Sequence, residues 1–363
     1  MSILDLVRGD LRDFAGYRSA RTDKLEGTVW LNANESPWTN PSDTASNLRR
    51  YPDPQPQRLR EALAELYGCA PQQLLAGRGS DEGIDLLLRA LCRPGADAVI
   101  VTTPTFGMYA VCARLHGTRV VDVPLLDATD GYACDFVAVG DEAGRQGAKI
   151  VFLCTPGNPG GNLLALEDIA ALARRLSDRS VVVVDEAYIE FAEAPSAITL
   201  IDAQPNIVVL RTLSKAHALA GARLGTVIAD SALIAVLQRC QAPYPLAVPC
   251  VDAALAAIAP EARDRTKTQI RETIAERSRL ETHLAMLPAI RRVIPSQANF
   301  VQVRCTDPQA AFDALLEAGI VVRDLRAMPG LKDALRITVG TPEQNTRLLG
   351  IIASLSAPAG AAA

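Results

Sequence analysis

The chain of 363 residues carries 37 lysines and arginines against 41 aspartates and glutamates, a formal charge of -4 at pH 7, and is 49% apolar and 21% charged. This is the composition of a globular protein, with chain enough for roughly two domains and a sizeable core. Mild acidity argues against a nucleic-acid binder or a polybasic membrane-surface protein, and no run approaches the ~18 consecutive apolar residues of a membrane span.

At the N-terminus, Asp5, Arg8, Asp10, Arg12 and Asp13 interrupt any signal-peptide apolar stretch, so a cytoplasmic location is expected. The eight cysteines are scattered without a CxxC pair, and the three histidines (His116, His217, His283) lie far apart. They read as buried small side chains in a reducing compartment, with no metal site. Between about Pro52 and Pro249, β-branched runs alternate with helical patterns. The runs are Ala98–Thr102, Lys149–Leu153, Val181–Val184, Ile207–Leu210 and Thr226–Ile228. Runs apolar at consecutive positions, separated by helices such as Leu166 to Leu176, predict a mostly parallel central sheet covered by helices on both faces, an α/β domain.

Beyond about Pro260 the character changes. A long charged helix over roughly Glu261 to Leu287 precedes a strand at Asn299–Val303, a helix from Pro308 to Ala318, and short strands around Ile320–Val322 and Leu335–Val339. The last helix opens with Thr341-Pro342-Glu343-Gln344, a capping box with proline in its first turn. This order predicts a smaller α+β domain, with Pro243 to Pro249 as the hinge. The division is 1–45, 46–250 and 251–363.

In an open parallel sheet, ligands bind beyond the carboxyl ends of the strands. Asp185 and Tyr188 follow Val181–Val184, Asn158 follows Lys149–Leu153, and Ser214, Lys215 and Arg223 follow Ile207–Leu210. A lysine there, one of only five in the chain, can clamp phosphate or form a Schiff base if its pKa falls below the ordinary ~10.4. A carboxylate directly after four valines needs a cation or a donor. A protonated pyridine nitrogen would serve, the arrangement that pyridoxal phosphate (PLP) chemistry requires. Gly77 to Gly83 leads into a helical pattern and suits an anion, with Ser80 as N-cap or phosphate ligand. The same turn half-matches a dinucleotide fingerprint, which keeps a nicotinamide-dependent oxidoreductase open.

Asn158-Pro159, Asp185-x-x-Tyr188, Ser214-Lys215 and Arg223, in this order, resemble the PLP-dependent aminotransferases of fold type I. Within that group Tyr17–Arg21, Leu31–Ser36, Arg50–Asp53, Gly77–Gly83, Pro104–Tyr109 and Leu335–Gly340 are most similar to the histidinol-phosphate aminotransferase family. The resemblance implies the PLP-dependent transferase fold and a role for each matched residue. Lys215 would carry PLP and shuttle the proton, with Asp185 on the pyridinium nitrogen and Tyr188 and Asn158 on the phenolic oxygen. Phe106 would stack on the ring. The Ser80 and Asp81 N–H groups, Ser214 and Arg223 would bind the phosphate, joined by Tyr51 from the second subunit of a homodimer. Arg323 and Arg336 would take the anionic end of the substrate, Asn158 would also contact it, and Tyr17 would line the pocket. Residues 1–45 would pack on the small domain and the site. His217 reads as a packing substitution for an aromatic residue.

The implied reaction converts histidinol phosphate and 2-oxoglutarate to imidazole-acetol phosphate and glutamate, a step of histidine biosynthesis, by ping-pong chemistry. The alternatives are a broad aromatic aminotransferase and a PLP-dependent threonine-phosphate decarboxylase.

Overall fold

A computed structural model of the chain describes residues 2–20, 27–45 and 47–355. Arg21 of the Tyr17–Arg21 motif, Lys24 and the alanine-rich tail lie outside the described residues.

From the N-terminus, helix α1 (Gln57–Tyr67), strand β1 (Leu74–Gly77), α2 (Gly79–Leu91), β2 (Ala98–Val101), α3 (Met108–His116) and β3 (Arg119–Asp122) come first. A small hairpin, β4 (Leu126–Ala128) and β5 (Gly131–Ala133), leads to α4 (Phe136–Gln146), β6 (Ala148–Cys154), α5 (Leu166–Arg175) and β7 (Val181–Asp185). Then come β8 (Ile207–Thr212), β9 (Gly225–Ile228), α6 (Ser231–Cys240), α7 (Val248–Ala257) and the long α8 (Pro260–Ala285). The chain continues through β10 (Ile290–Ile294), β11 (Phe300–Cys305), α9 (Pro308–Glu317), β12 (Arg323–Asp324), β13 (Ala334–Thr338) and α10 (Pro342–Ala353).

The main sheet has the order β1-β9-β8-β7-β6-β2-β3. The pairings between β8, β7, β6, β2 and β3 are parallel, and β9 runs antiparallel to both its neighbours. Strand side chains alternate between faces, and here both faces are apolar. Val181, Val183, Ile150 and Phe152 join one core cluster with side chains of α2, α3 and α6. Val182, Val184, Val151 and Leu153 join another with side chains of α1, α4, α5 and α7. This is why the central strands read as unbroken apolar runs. The same alternation puts Asp185 on the α2–α3 side and turns Glu186 toward the other.

Four expectations change. The run at Thr226–Ile228 lies antiparallel, and a four-residue strand carries no pattern that reveals its direction. The strand sought at Ile320–Val322 forms later, as β12, because Ile320 and Val322 pack instead against the core of the second sheet. The N-terminal segment does not begin over the small domain and the site: Ile3, Leu6 and Val7 are buried with α2 and α6, and Arg8 N–H donates to Ala90 O at 3.0 Å. The cause is apolar spacing, which gives that short turn a buried face. Pro249, set in the hinge, instead lies in the first turn of α7, and Val251 and Ala254 of that helix pack into the lower core of the main sheet.

The second sheet, β10-β11-β13-β12, is antiparallel throughout and has its own core with α8, α9 and α10. The capping box at Thr341 is formed.

Candidate active site

One cleft at the carboxyl ends of β6, β7 and β8 is lined by Ser80, Asp81, Phe106, Asn158, Asp185, Tyr188, Ser214, Lys215 and Arg223. Asp185 is 2% exposed. Its Oδ2 accepts the Tyr109 hydroxyl at 2.7 Å and its Oδ1 accepts the Ala187 N–H at 3.1 Å. Burial is the main cause that raises its pKa to about 6, opposed by those two donors and more weakly by Lys215, while Asp81 adds to the rise. A buried carboxylate whose direct partners are all neutral suits an incoming cation.

Lys215 stands on the turn after β8, which is braced by Ala218 N–H on Lys215 O at 3.1 Å and Leu219 N–H on Leu213 O at 3.0 Å. Its side chain faces the open cleft. The surrounding protein walls are the first cause that holds the ammonium below its usual pKa, followed by Arg336 and Arg223, with Asp81 and Asp185 pulling the other way. Its Nζ lies 5.6 Å from the centre of the Tyr188 ring. Burial likewise keeps the Tyr188 phenol protonated, well above its ordinary range.

The anion cradle is built by close approach. Gly79 has φ +75°, and a Cβ there would lie 2.7 Å from Arg223 Nη2. A Cβ on Gly225 of β9 would collide with the Ser80 N–H. Two glycines therefore let the first turn of α2, with its free N–H groups and positive dipole end, meet Arg223 and Ser214. Asp81 holds Arg223 at 3.0 Å, and Thr212 Oγ1 donates to Ser214 Oγ at 2.9 Å.

From the second sheet, Arg336 Nη1 donates to Asn158 Oδ1, and its guanidinium lies 5.0 Å from the Phe300 ring centre. Its Nε is buried without a partner. Arg323 lies opposite Arg336 in the β12–β13 register, and its charge acts on the Arg336 guanidinium. Tyr17 and Tyr51 are not brought to the cleft within the chain. Tyr51 is half exposed and stacks on Tyr244 at 4.4 Å, and Tyr17 lines a separate recess with Trp30, Arg60 and Arg239. Among the described residues, no group of three His, Cys, Asp or Glu side chains is placed to hold a metal, and no helix is long and apolar enough to cross a membrane.

These residues fit a flat cationic ring carrying a phosphate. Asp185 suits the ring's positive nitrogen, Phe106 its face, the α2 cradle its phosphate, and Lys215 a carbonyl carbon. Comparison with known families agrees, since residues 21–352 match the model of aminotransferase class I and II. The chain belongs to this family. A relative from Xanthomonas euvesicatoria, named histidinol-phosphate aminotransferase, is 59% identical over 351 residues, 97% of each chain. One of the same name from Stenotrophomonas maltophilia is 58% identical over 357 residues, 98% of each. The solved histidinol-phosphate aminotransferase of Sinorhizobium meliloti, in complex with pyridoxal-5'-phosphate, superposes with a TM-score of 0.76 at 30% identity, covering 87% of this chain and 86% of its own. L-threonine-O-3-phosphate decarboxylase from Porphyromonas gingivalis, at 22% identity and a TM-score of 0.71, shares the fold.

Within this aminotransferase the glycine turn serves α2 and the anion cradle, which removes the ground for a dinucleotide reading. Sequence reasoning placed Asp185, Asn158, Tyr188, Ser214, Lys215 and Arg223 on one rim, and the structure brings them together. It passed over the role of Tyr109, the only side chain bonded to Asp185 among the described residues. The signal was a tyrosine on the narrow buried face of α3, which it shares with Cys112 and Ala113.

Proposed function

We propose that this aminotransferase interconverts histidinol phosphate and imidazole-acetol phosphate with PLP as cofactor, exchanging the amino group with 2-oxoglutarate and glutamate in histidine biosynthesis. The observation that carries the reading is the convergence of Lys215, Asp185 and the first turn of α2 on one cleft, with Arg336 reaching its Asn158 from the second sheet. The names of relatives at 58–59% identity over nearly the whole chain supply the substrate.

When bound, PLP supplies an electron sink for the bond broken at the substrate's α-carbon. The chain's own residues do the rest. Asp185 would present a buried negative charge to the ring nitrogen, while Tyr188 and Asn158 would hold the ring's phenolic oxygen. The walls, then Arg336 and Arg223, hold the Lys215 ammonium below its usual pKa, which makes its amine easier to free. With PLP bound, that amine would be the base for the substrate's Cα proton and the acid that moves it to the cofactor side. Arg223, Ser214 and the first turn of α2 hold the cofactor phosphate, and Arg336 with Arg323 takes the phosphate of the substrate, bidentate geometry favouring arginine. Ping-pong exchange follows, because one cleft serves both amino donor and acceptor.

The domain division is drawn here between a cofactor-holding part built on the main sheet and a substrate-facing part built on the second. We read the enzyme as a cytoplasmic homodimer in which Tyr51 reaches the phosphate of the neighbouring site. Its exposure and its distance from its own chain's cleft support that reading, and eight unpaired cysteines fit a reducing compartment.

The test is to load the purified protein with PLP, record its visible absorption, and add amines one at a time. Histidinol phosphate should discharge the visible band, and phenylalanine and threonine phosphate should not. A response to phenylalanine alone would favour an aromatic aminotransferase, and CO2 release from threonine phosphate a decarboxylase. Lys215→Ala should lose the band and about 10^4-fold of turnover; a variant that still turns over like the parent would sink the reading.

A further inference from the structure

We propose that Tyr109 is a positioning residue, whose hydroxyl, bonded to Asp185 Oδ2, keeps that carboxylate ionised and so keeps the shared proton on the ring nitrogen of the cofactor. This rests on the PLP reading above.

Packing fixes the tyrosine and aims its hydroxyl. Tyr109 is 0% exposed in α3, and its ring lies flat on Phe152 of β6, 4.7 Å between centroids and 3° between planes. Phe106 meets its edge at 5.6 Å and 84°. The phenol is thus locked in place by packing and aimed at Asp185 Oδ2, 2.7 Å away. Such a charge-assisted bond is among the stronger ones available to a carboxylate. The same aromatic stack contains Phe106, the side chain facing the cofactor ring, so one rigid unit sets both the stacking plane and the height of the carboxylate beside it.

The chemistry requires this help. Burial favours the protonated form of Asp185. A protonated Asp185 would offer a pyridinium N–H no negative charge, and a more basic one would draw the ring proton onto its own oxygen. The other titratable groups facing Asp185 are Cys154 at the end of β6, Tyr188, Asp81 at the start of α2 and Lys215. Of these Cys154 and Tyr188 are neutral at pH 7, held far above their ordinary values by burial, and Asp81 opposes ionisation. Lys215 aids it, but only weakly. Two donors therefore hold the charge, the Ala187 N–H and the Tyr109 hydroxyl, and only the second is a side chain.

Tyr109→Phe removes the hydroxyl and retains the stack. Its phenol-free protein should be compared with the parent in two ways, neither of them turnover. First, affinity of the apoenzyme for PLP is measured against pH. The pH at which affinity is half lost should rise by about one unit, a tenfold weaker binding on the acid side; titrations of PLP itself cancel between the two proteins. Second, both are loaded with PLP labelled with 15N in the ring. At pH 7.5 the parent signal should sit at the protonated pyridinium position, and the Tyr109→Phe signal should move toward the unprotonated one. Phe152→Leu, which loosens the stack and keeps the hydroxyl, should lower Tm and leave the nitrogen signal in place. The inference is overturned if Tyr109→Phe matches the parent in both measurements, or if Phe152→Leu moves the signal as far. A parent protein that binds no PLP, or holds it with an unprotonated ring, would sink the cofactor reading, and this inference with it.

Discussion

Asp185 and Glu186 are consecutive, both almost fully buried, and both pushed toward the protonated form by that burial. Their surroundings on the two faces of the sheet differ in kind. Glu186 accepts from Ser196 Oγ at 2.5 Å and Ala197 N–H at 2.6 Å, and Arg211 lies 3.4 Å away. Arg211 is held in turn by Glu190 at 2.8 Å and by the face of Tyr67. That cluster contains its own countercharge. Asp185 has two neutral donors and a lysine at a distance. A buried carboxylate with its cation already in place belongs to the architecture, and one without it is prepared for a ligand that brings the charge.

The largest expected effect separates the two by activity. Asp185→Asn should lower kcat/KM by about 10^2–10^3-fold, the scale of losing one preorganised electrostatic group, while Glu186→Gln should stay within about threefold of the parent. Steady-state kinetics on both would break the distinction if the losses were equal.

A second contrast is in the pH dependence of stability without cofactor. An aspartate ordinarily titrates near 3.8, and Asp185 is raised to about 6. A carboxyl with a raised pKa in the folded state penalises folding above that pKa, because ionisation is easier in the unfolded chain. The penalty, up to about 3 kcal/mol, should be complete above pH 6 and disappear as pH falls toward 4. Apo Asp185→Asn should therefore be the more stable protein at pH 7, with the advantage vanishing at pH 4. Thermal unfolding across that range checks it, and an advantage independent of pH would contradict the assignment.

The pKa of Glu186 is raised by burial too, but Glu186→Gln also strips Arg211 of a countercharge, which should outweigh that relief and cost about 1–3 kcal/mol, seen as a lower denaturant midpoint at unchanged slope. The smallest effect is expected at His217, beside the Glu186 cluster. Its Nδ1 is buried without a partner and burial lowers its pKa, so it is neutral at pH 7. His217→Phe should change stability by less than about 0.5 kcal/mol and leave kcat unchanged. A large loss of kcat would move His217 from the packing side of the comparison to the chemical one.

Much of this cleft was legible because Asn158, Asp185 and Lys215 follow strands whose apolar runs are unmistakable. Asp185 after four valines and Lys215 after β8 are visible as interruptions, and sheet topology brings interruptions together. Arg336 was named as a ligand residue only through resemblance, since a strand arginine has no local mark of function; its contact with Asn158 depends on how the second sheet docks. Tyr109 was hidden for the opposite reason, as its ring is true core and only its last atom serves the site. The direction of β9 and the resting place of the N-terminal turn escaped because both are decided by long-range packing, not by local pattern.

The inserted strand β9 has a temporal consequence. β1 occupies the sheet edge and is bonded to the rest only through β9. The helix start that grips the anion thus hangs from a strand synthesised some 150 residues after it. Pairing so distant in sequence is reached late in folding, and Arg223 and Gly225 arrive in the same step. A growing chain on the ribosome accordingly has no such grip until that strand has emerged and threaded between its neighbours, which makes cofactor capture a report that the main sheet has closed.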